Sequence, residues 1–370
     1  MGSLERSSKG KWKARYRDPS GRQRSKTFDR KSEAQNFLAM TATEMVQGMW
    51  RDPELEKISF RDWIEEWWDT TVDLRPSTRV RDEAYMRNHV MPTFADLAIG
   101  DLNPRQIRQW VASLVAKGLA PATVRKAYQL LTKSLREAVD AGLLAQSPCR
   151  GISLPKIEVR EMPALEPPKI VVLAQTIDAR YRALVLLAAY SGMRWAELVG
   201  LTRKRIDLDK GVVEVKEIIV ELEGRLLAPS PPKTKAGRRR IPIPPSVAKE
   251  IRKHLDLGEG SDFVFQSPEG GPLRKSFNNR FWVPAVKNAG VYPFRFHDLR
   301  HTAISYWILC GASPKQIAKW AGHTSTSVVL DRYGHLFPEE DDRLISSLES
   351  MFRRSMGDEE GWRDKKASDS

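Results

Sequence analysis

The chain opens with a strict alternation of basic and apolar side chains. In KWKARYR, residues 11–17, the basic residues take the odd positions and the apolar residues the even ones. A period of two predicts a strand with one charged face. Turn residues follow at 18–21, and 22–28 is predicted to be the returning strand. Asp29 is the expected N-cap of a helix that runs through Leu38, so this region is predicted to form a small sheet with a packing helix.

Between residue 59 and about residue 150 the apolar residues change to the helical period. Ser59 precedes Asp62 by three positions, which is the spacing of a capping box. One apolar stripe then repeats at i, i+3, i+4 and i+7 and consists of Phe60, Trp63, Ile64 and Trp67. Further helices are predicted to begin near positions 77, 103 and 123. The pattern indicates an all-α helical bundle.

A Pro-rich stretch at 153–168 predicts a linker between domains. After it, helical and strand patterns are mixed to about residue 355, with a helix predicted through 181–190 and strands near 212–220. Residues 356–370 are polar and predicted to be disordered. One apolar stripe before them can pack on its own domain or dock on a neighbouring protomer: Leu344, Ile345, Leu348, Met351 and Phe352.

Charge adds a partner to this picture. The chain of 370 residues has 61 Lys and Arg against 47 Asp and Glu, a net charge of +14, which indicates nucleic acid or an acidic membrane surface. The apolar runs fall short of the ~20 residues that span a bilayer, and the first residues lack the apolar core of a signal peptide. Cys149 and Cys310 form no disulfide framework, which favours a reducing cytoplasm. We therefore expect a nucleic-acid partner.

Nine basic residues are the candidate DNA contacts. They lie on the charged face of the N-terminal strands, off the apolar stripe of the helix that begins near residue 123, and in a basic turn near residue 238. They are Lys11, Lys13, Arg15, Arg17, Arg22, Arg24, Lys126, Lys133 and Arg238. Each one alone is equally typical of a solvated face, and it is their combination that favours a DNA-facing surface.

The third part of the chain holds the residues with chemical potential. Four of the six histidines lie within 39 residues, together with Arg300 and Tyr333. HDLRHT places His297 and Arg300 one helical turn apart on a shared face. His323 follows a helix predicted over 313–322.

Two earlier stretches suit the same chemistry. SGMRWAEL places Arg194 and Glu197 at i and i+3 on a predicted helix. KTKAGRRRIP is a turn rich in Lys and Arg that leads into a strand, and it contains Lys233 and Lys235. Two arginines can grip one phosphate, a lysine or histidine can transfer protons, and a tyrosine can attack phosphorus to form a covalent intermediate. Such a site needs neither metal nor ATP, because arginines supply the positive charge and the phosphotyrosine bond keeps the energy.

Other readings of these residues explain less. His297 and His301 have the i, i+4 spacing of zinc ligands, but Arg300 stands between them in a basic setting that repels a cation. The chain contains neither an HExxH motif nor a GxxxxGK[ST] phosphate loop. A helix-turn-helix is a fair reading of residues 313–333. It leaves Arg194 and the lysine-rich turn without a role.

The order R…K…HxxR…H…Y, with HDLRHT and DRYGHLFP as its most specific wording, resembles the tyrosine recombinases and within them the phage integrases. The likeness extends from about residue 8 to residue 352 and is nearest to the integrases of temperate mycobacteriophages. It implies a multidomain α+β fold with three parts. These are a three-stranded N-terminal sheet with a helix, an all-α middle domain, and a mainly α catalytic domain with a small β-sheet.

The resemblance also implies residue roles. Tyr333 is the expected nucleophile that forms a 3′-phosphotyrosine, Arg194 and Arg300 hold the scissile phosphate, and Lys235 is the general acid, with Lys233 as the alternative. The remaining implied roles are proton transfer by His297, a phosphate hydrogen bond from His323, and orientation of the site by Glu197. Packing or capping is expected of His301 and His335. Arg238, Arg239 and Arg240 are expected to contact the DNA backbone or solvent.

By the same resemblance, residues 1–58 bind arm-type sites, 59–155 bind the core site, 156–168 form the linker, 169–355 carry the chemistry and 356–370 are the tail. The implied partners are double-stranded DNA at attachment sites, a homotetramer on that DNA, a host DNA-bending factor and a phage excisionase, in the cytoplasm of a bacterial host. A type IB topoisomerase-like enzyme and a non-catalytic DNA-binding regulator are the alternatives. Strand-exchange order, and whether Tyr333 acts in its own protomer's site or in a neighbour's, stay open.

Overall fold

The computed structural model describes residues 2–7, 10–47, 50, 52–157, 164–257, 261–338 and 341–356. The chain divides into two compact units, Met1–Val159 and Arg160–Ser370. Each unit contains helices and at least one small antiparallel sheet, which agrees with the predicted α+β fold class. Throughout the described ranges, every helix is too short or too polar to cross a membrane.

The first unit begins with an antiparallel sheet in the order β1-β2-β3. Its strands and the helix that follows are β1 (Ser3–Arg6), β2 (Trp12–Arg17), β3 (Gln23–Phe28) and α1 (Lys31–Val46). Ala14 and Tyr16 are buried, and Tyr16 packs edge-on against Phe37 of α1 at 5.8 Å between ring centroids. The predicted alternation of β2 is thereby confirmed, since its apolar face covers the helix.

The predicted N-cap of α1 is wrong. Arg30 occupies the N-cap position without a side-chain hydrogen bond. Asp29 instead pairs with Lys11, with 2.9 Å between carboxylate oxygen and Nζ. A cross-strand ion pair therefore uses the carboxylate that a cap would have required.

The rest of the first unit is the predicted helical bundle. Its helices are α2 (Phe60–Thr70), α3 (Pro76–Tyr85), α4 (Met91–Phe94), α5 (Pro104–Ala116) and α6 (Pro121–Asp140). Ser59 caps α2 by accepting from the Asp62 N–H at 3.1 Å, and Asn103 caps α5 through a reciprocal bond with Gln106. The predicted stripe of α2 is buried, and the Trp63 indole donates to the Ser134 carbonyl at 3.1 Å.

The second unit is mainly helical. Its helices are α7 (Pro167–Thr176), α8 (Arg182–Ser191), α9 (Trp195–Val199), α10 (Pro245–Asp256), α11 (Val283–Asn288), α12 (Asp298–Leu309), α13 (Pro314–Ala321), α14 (Ser327–Tyr333) and α15 (Asp341–Met356). Its strands are β4 (Ile206–Asp207), β5 (Val212–Val215), β6 (Glu221–Leu222), β7 (Arg225–Leu226) and β8 (Arg239–Pro242). Strands β4, β5 and β8 form one antiparallel sheet in that order, and β6 and β7 form a hairpin. Helix α12 packs against α8, and both belong to the core that supports the site.

Two predicted segments differ in part from their expectation. Residues 158–163 of the predicted linker lie outside the described residues, and α7 already begins at Pro167. The apolar stripe of α15 does not pack on its own domain, because Ile345, Leu348 and Met351 are 50–63% exposed. The side chain of Leu344 and residues 357–370 lie outside the described part.

Candidate active site

Arg194 is held where α8 ends and α9 begins. Gly192 ends α8 with φ +59°, and a Cβ there would lie 2.9 Å from the Trp307 ring, so glycine is required for this turn. Arg194 then takes the N-cap position of α9. Glu197 accepts from its backbone N–H at 2.8 Å and from its Nη1 at 2.9 Å. The predicted i, i+3 pair is present, and it fixes both the backbone and the guanidinium of Arg194.

Glu197 is also the partner of a second arginine. Arg239 at the start of β8 donates Nη1 and Nη2 to the two Glu197 oxygens, each at 2.9 Å, and both side chains are at most 3% exposed. Burial acts to raise the pKa of Glu197, but the hydrogen bonds and charges of Arg239 and Arg194 outweigh it and lower that pKa below its ordinary value. The carboxylate is therefore ionised at neutral pH.

The expectation that Arg239 contacts DNA or solvent is wrong. Its Nε donates to the Trp320 carbonyl at 2.6 Å, and Nη1 donates to the Gly237 carbonyl at 3.0 Å, which leaves this guanidinium inside the protein. The strand alternation carried the signal, because Ile241 two residues later is buried on the same face of β8. Arg238 and Arg240, in the flanking positions, are exposed.

We expect Glu197→Gln to destabilise the folded protein strongly. The change leaves Arg239 buried without a counter-charge, and breaking a buried ion pair from one side costs about 3–5 kcal/mol. Urea denaturation followed by tryptophan fluorescence measures the free energy of unfolding. Glu214→Gln is the matched control, because this carboxylate also bonds an arginine but is nearly a quarter exposed. Equal losses in the two variants would contradict a special role for the buried pair.

Arg300 is buried on α12 and is held by backbone carbonyls. Its Nη1 donates to the Gly192 carbonyl and its Nη2 to the Ala321 carbonyl, each at 2.6 Å, and it is 4% exposed. Arg194 Nη2 donates to the next carbonyl, that of Gly322, at 3.2 Å. Burial and then the charge of Arg194 lower the pKa of Arg300 to about 9, so that it still carries its charge at neutral pH. Both arginines are therefore fixed on one turn.

His323 follows that turn, where Gly322 ends α13 with φ +69°. Arg300 Nη2 donates to His323 Nε2 at 3.0 Å. Burial and then the charge of Arg300 lower the pKa of His323 to about 4, so the ring is neutral and its proton is on Nδ1. Nδ1 is buried and has no partner among the described residues. This N–H is therefore an unsatisfied donor next to the Arg300 guanidinium.

The arginines leave the site with an excess of positive charge. Arg194, Arg239 and Arg300 converge there, and among the described residues only one carboxylate, that of Glu197, is hydrogen-bonded to any of them. Two positive charges therefore lack a compensating group in the cluster. A phosphodiester that gains a second negative charge in its transition state matches this excess. Metal ions do not suit it, and no three His, Cys, Asp or Glu side chains of the described ranges converge as a metal site requires.

Tyr333 ends α14 and is 5% exposed. Its hydroxyl is hydrogen-bonded to Nδ1 of His301, which is itself 4% exposed on α12. Burial raises the pKa of Tyr333, and the charges of Arg332 and Arg300 oppose that effect without cancelling it. His301 was expected only to pack or cap. It is indeed buried, but its contact with the phenol could not be seen from the sequence, because no local pattern joins α12 to α14.

His297 stands at the exposed N-cap of α12. Its ring meets the ring of His301 edge-on, with 5.5 Å between centroids. Partial burial, followed by the charge of Arg300, lowers the pKa of His297. His297 is therefore beside the site, one ring further from the Tyr333 hydroxyl than His301. His335 is exposed.

Lys235 lies in a single helical turn, Lys235–Gly237, before β8. That turn adjoins the site, because a Cβ on Gly322 would be 3.1 Å from the Ala236 carbonyl. The amines of Lys233 and Lys235 are both exposed, and neither is hydrogen-bonded to another described residue. The geometry therefore brings the turn to the arginines and leaves the two lysines as alternatives.

The candidate DNA contacts of the N-terminal sheet divide between its two faces. Lys13 pairs in register with Thr27 and Arg15 with Ser25, whereas Arg24 pairs with Tyr16 and so lies on the apolar face. Arg24 donates to Asp18 at 3.0 Å and also to Asp52, with 19% of its side chain exposed. It fastens the sheet and does not share the surface of Lys13 and Arg15. Arg17, Arg22 and Arg238 are exposed.

The bundle candidates are partly engaged by neighbours. Lys126 pairs with Asp82 at 3.2 Å, and Lys133 lies over the Trp67 ring at 5.6 Å. Both retain solvent exposure, Lys133 more than Lys126. Lys126 is therefore a weaker candidate for a phosphate contact, because it would have to leave the Asp82 carboxylate to bind a DNA phosphate.

Three protein-family profiles match the chain in succession. Residues 1–47 match the phage integrase N-terminal domain, 59–115 the phage integrase N-terminal SAM-like domain, and 161–340 the phage integrase family. Two relatives align along nearly their whole length. A putative prophage phiRv2 integrase of Mycobacterium tuberculosis is 29% identical over 95% of this chain and 96% of its own, and the integrase of Mycobacterium phage L5 is 25% identical over 96% and 98%.

Solved structures share the fold. The Tn1549 transposon integrase in complex with transposon right end DNA superposes with a TM-score of 0.68 at 18% identity, over 79% of this chain and 99% of its own. A lambda integrase dimer bound to a core site superposes with a TM-score of 0.60 at 17% identity, over 89% and 93%. The similarity of fold therefore extends beyond the unit that holds the site.

Proposed function

Because the chain belongs to the phage integrase family of tyrosine recombinases, which break and rejoin DNA strands in site-specific recombination, we propose that it does so through a covalent bond from Tyr333 to the 3′ phosphate of the cut strand. The observation that carries this proposal is the pair of guanidiniums, Arg194 and Arg300, fixed on the successive carbonyls of Gly322 and Ala321. The charges of both act on the neutral ring of His323, and the charge of Arg300 also acts on Tyr333.

Each group has a defined task in the two steps. The Tyr333 oxygen attacks phosphorus while Arg194, Arg300 and His323 bind the non-bridging oxygens and stabilise the added charge. The bond from phosphorus to the 5′ oxygen breaks, Lys235 gives that oxygen a proton, and a histidine of the site takes the proton that the phenol loses. A 5′ hydroxyl from another strand then attacks the phosphotyrosine and releases the phenol. One phosphate ester is exchanged for another at each step, so the cycle consumes no ATP, and guanidiniums take the place of a metal ion.

The two matched domains that precede the site favour recombination over simple relaxation of DNA. A type IB topoisomerase-like enzyme uses nearly the same groups, but two further domains of the phage integrase type precede this site. A regulator that only binds DNA has no use for a tyrosine hydroxyl bonded to a histidine that directly follows a fixed, buried arginine. Residues 1–58 are assigned to arm-type sites, 59–155 to the core site, 156–168 to the linker, 169–355 to catalysis and 356–370 to the tail.

The partners follow from the same assignment. The DNA is double-stranded and carries attachment sites of core and arm types, and integration and excision are the expected outcomes, aided by a host DNA-bending factor and a phage excisionase in the bacterial cytoplasm. A lambda integrase has been solved as a tetramer bound to a Holliday junction. The exposed stripe of α15, with Ile345 and Phe352 at 62% and 60% exposure, supports a homotetramer in which this helix packs on a neighbour.

The deciding experiment maps the adduct. The full chain is incubated in EDTA with nicked DNA from the region that flanks its own gene, denatured in SDS and digested with trypsin. The expected result is a nucleotide-linked peptide that contains Tyr333, formed without metal or ATP. Tight DNA binding with no adduct would contradict the recombinase and favour the non-catalytic DNA-binding regulator.

We expect Arg300→Ala to bind DNA normally and cleave it slowly. Removing one such transition-state donor costs about 10²–10³ in rate, and Arg194→Ala should fall in the same range. Single-turnover adduct formation measures the rate, and a gel-shift titration measures binding. Arg295→Ala is the control on the same stretch, because Arg295 pairs with Asp298 at 2.7 Å and its side chain is 64% exposed. Near-normal cleavage by Arg300→Ala would show that Arg300 does not stabilise the scissile phosphate in the transition state.

A further inference from the structure

The Tyr333 hydroxyl is hydrogen-bonded to a histidine, and it is not the histidine that the family motif assigns to proton transfer. That partner is Nδ1 of His301. Both side chains are nearly inaccessible, at 5% and 4% exposure, so water does not replace either of them. His297, by contrast, contacts the His301 ring and has no described hydrogen bond to Tyr333.

We propose that His301 orients the Tyr333 hydroxyl and accepts its proton as the phenolic oxygen attacks the scissile phosphate. This inference rests on the proposed function of Tyr333 as nucleophile. In the forward step the Tyr333 oxygen forms its bond to phosphorus, its proton passes to His301 Nδ1, and the 5′ oxygen leaves with a proton from the general acid. In the reverse step the imidazolium returns its proton to the departing phenolate. Protons and charges balance with no further reactant.

The surroundings of His301 suit a proton acceptor. Burial, followed by the charges of His297 and Arg332, lowers the pKa of His301 to about 4, so one ring nitrogen is free to accept. The other charged neighbours are Asp298, which acts in the opposite direction, and Arg300. The phenol itself stays protonated at neutral pH, because its pKa is raised. A protonated nucleophile beside a neutral imidazole requires a transfer of this kind.

The backbone that carries the ring is also fixed. The backbone carbonyl of His301 accepts from the Ser305 hydroxyl at 3.1 Å within α12. The preceding residue, Arg300, is anchored by the Gly192 and Ala321 carbonyls. Because Arg300 and His301 are adjacent on one helix, the phosphate clamp and the base are positioned by the same backbone. His301 therefore acts as a catalytic residue, since its Nδ1 contacts the attacking oxygen of Tyr333 directly.

Three variants of the full chain test this assignment. His301→Phe removes the hydrogen bond and the base, while His301→Asn can still bond the hydroxyl but cannot take its proton. Tyr306→Phe is the control for disturbance of α12, because it removes a hydroxyl on the same helix that donates to the Leu165 carbonyl. The rate of adduct formation is measured in single turnover on nicked DNA with a normal 5′ oxygen and with a sulfur atom in its place. Sulfur leaves without a proton, so that substrate bypasses the general acid but not the base.

We expect His301→Phe and His301→Asn to lose about 10²–10⁴ in adduct rate on both substrates, with DNA binding unchanged and Tyr306→Phe at the wild-type rate. The residual rate of His301→Asn should rise with pH between about 6 and 9, because hydroxide must then remove the proton from a phenol with an ordinary pKa of about 10. The wild-type rate should change much less.

Three outcomes would overturn the inference. They are a wild-type rate in His301→Phe, rescue of either variant by sulfur, and full activity of His301→Asn beside an inactive His301→Phe, which would reduce His301 to a positioning residue. If His301→Phe fails to fold, His301→Asn decides alone through its pH profile. Failure of the proposed function is distinct, because wild type itself would then form no Tyr333 adduct.

Discussion

Tyr333→Phe should bind DNA as tightly as the wild type and form no covalent adduct at all. The change removes a single oxygen, and that oxygen is the only atom of the side chain that can attack phosphorus. Binding should survive, because the change alters none of the exposed basic side chains of the first unit. The measurement is a pair of gels on one DNA fragment, native for binding and SDS for the adduct.

The same variant also reports on its own folding. Loss of the hydroxyl leaves His301 Nδ1 without its partner, which costs about 1–3 kcal/mol for a buried polar group. A melting curve should therefore show a small decrease, far from unfolding at room temperature. Tyr306→Phe is the control. It removes a partly buried hydroxyl that donates to the Leu165 carbonyl at 2.6 Å and does not belong to the phosphate site. An adduct formed by Tyr333→Phe would assign the nucleophile to another residue.

Lys235→Ala should cleave normal DNA about 10²–10⁴-fold more slowly than wild type, which is the range for removal of a general acid. The 5′ oxygen is a poor leaving group without a proton, and Lys235 lies in the turn next to Gly322 and His323. Lys233→Ala should have nearly the wild-type rate. The comparison is made on nicked DNA in single turnover.

A bridging sulfur at the 5′ position makes this test specific. Its thiolate leaves unaided, so Lys235→Ala should return to nearly the wild-type rate on that substrate. If Lys233→Ala carries the defect and the rescue, the acid is Lys233, and the turn acts through its first lysine. A defect in Lys235→Ala that sulfur does not relieve would mean that the residue binds DNA and does not transfer a proton.

Much of this fold follows from local rules. Ser59 caps its helix as its spacing to Asp62 predicts. The helices predicted to begin near residues 103 and 313 do so, with Asn103 and Ser313 as their N-caps. The buried stripe of α2 follows from the helical period alone. The order of Arg194, Arg300 and Tyr333 along the chain identified the family, and the structure places the two arginines on one turn.

The contacts that the sequence did not reveal are those between distant segments. Arg239 reaches Glu197 across 42 positions, and His301 reaches Tyr333 across 32, so no helical or strand period connects them. Arg24 was misplaced for a different reason. Its charge suggested the DNA face, but its register with Tyr16 puts it on the inner face, where Asp18 and Asp52 neutralise it. Register is set by pairing, and pairing is not local.

The charge excess of the arginine cluster has a practical consequence. Small oxyanions of the buffer can compete for the place of the DNA phosphate, since they meet the same guanidiniums. A ligand that binds only the folded state stabilises it by mass action. Sulfate or phosphate should therefore raise the stability of the folded protein during storage and inhibit its cleavage of DNA during assay, by binding to the same arginine cluster. The choice of buffer then decides whether a preparation is judged robust or active.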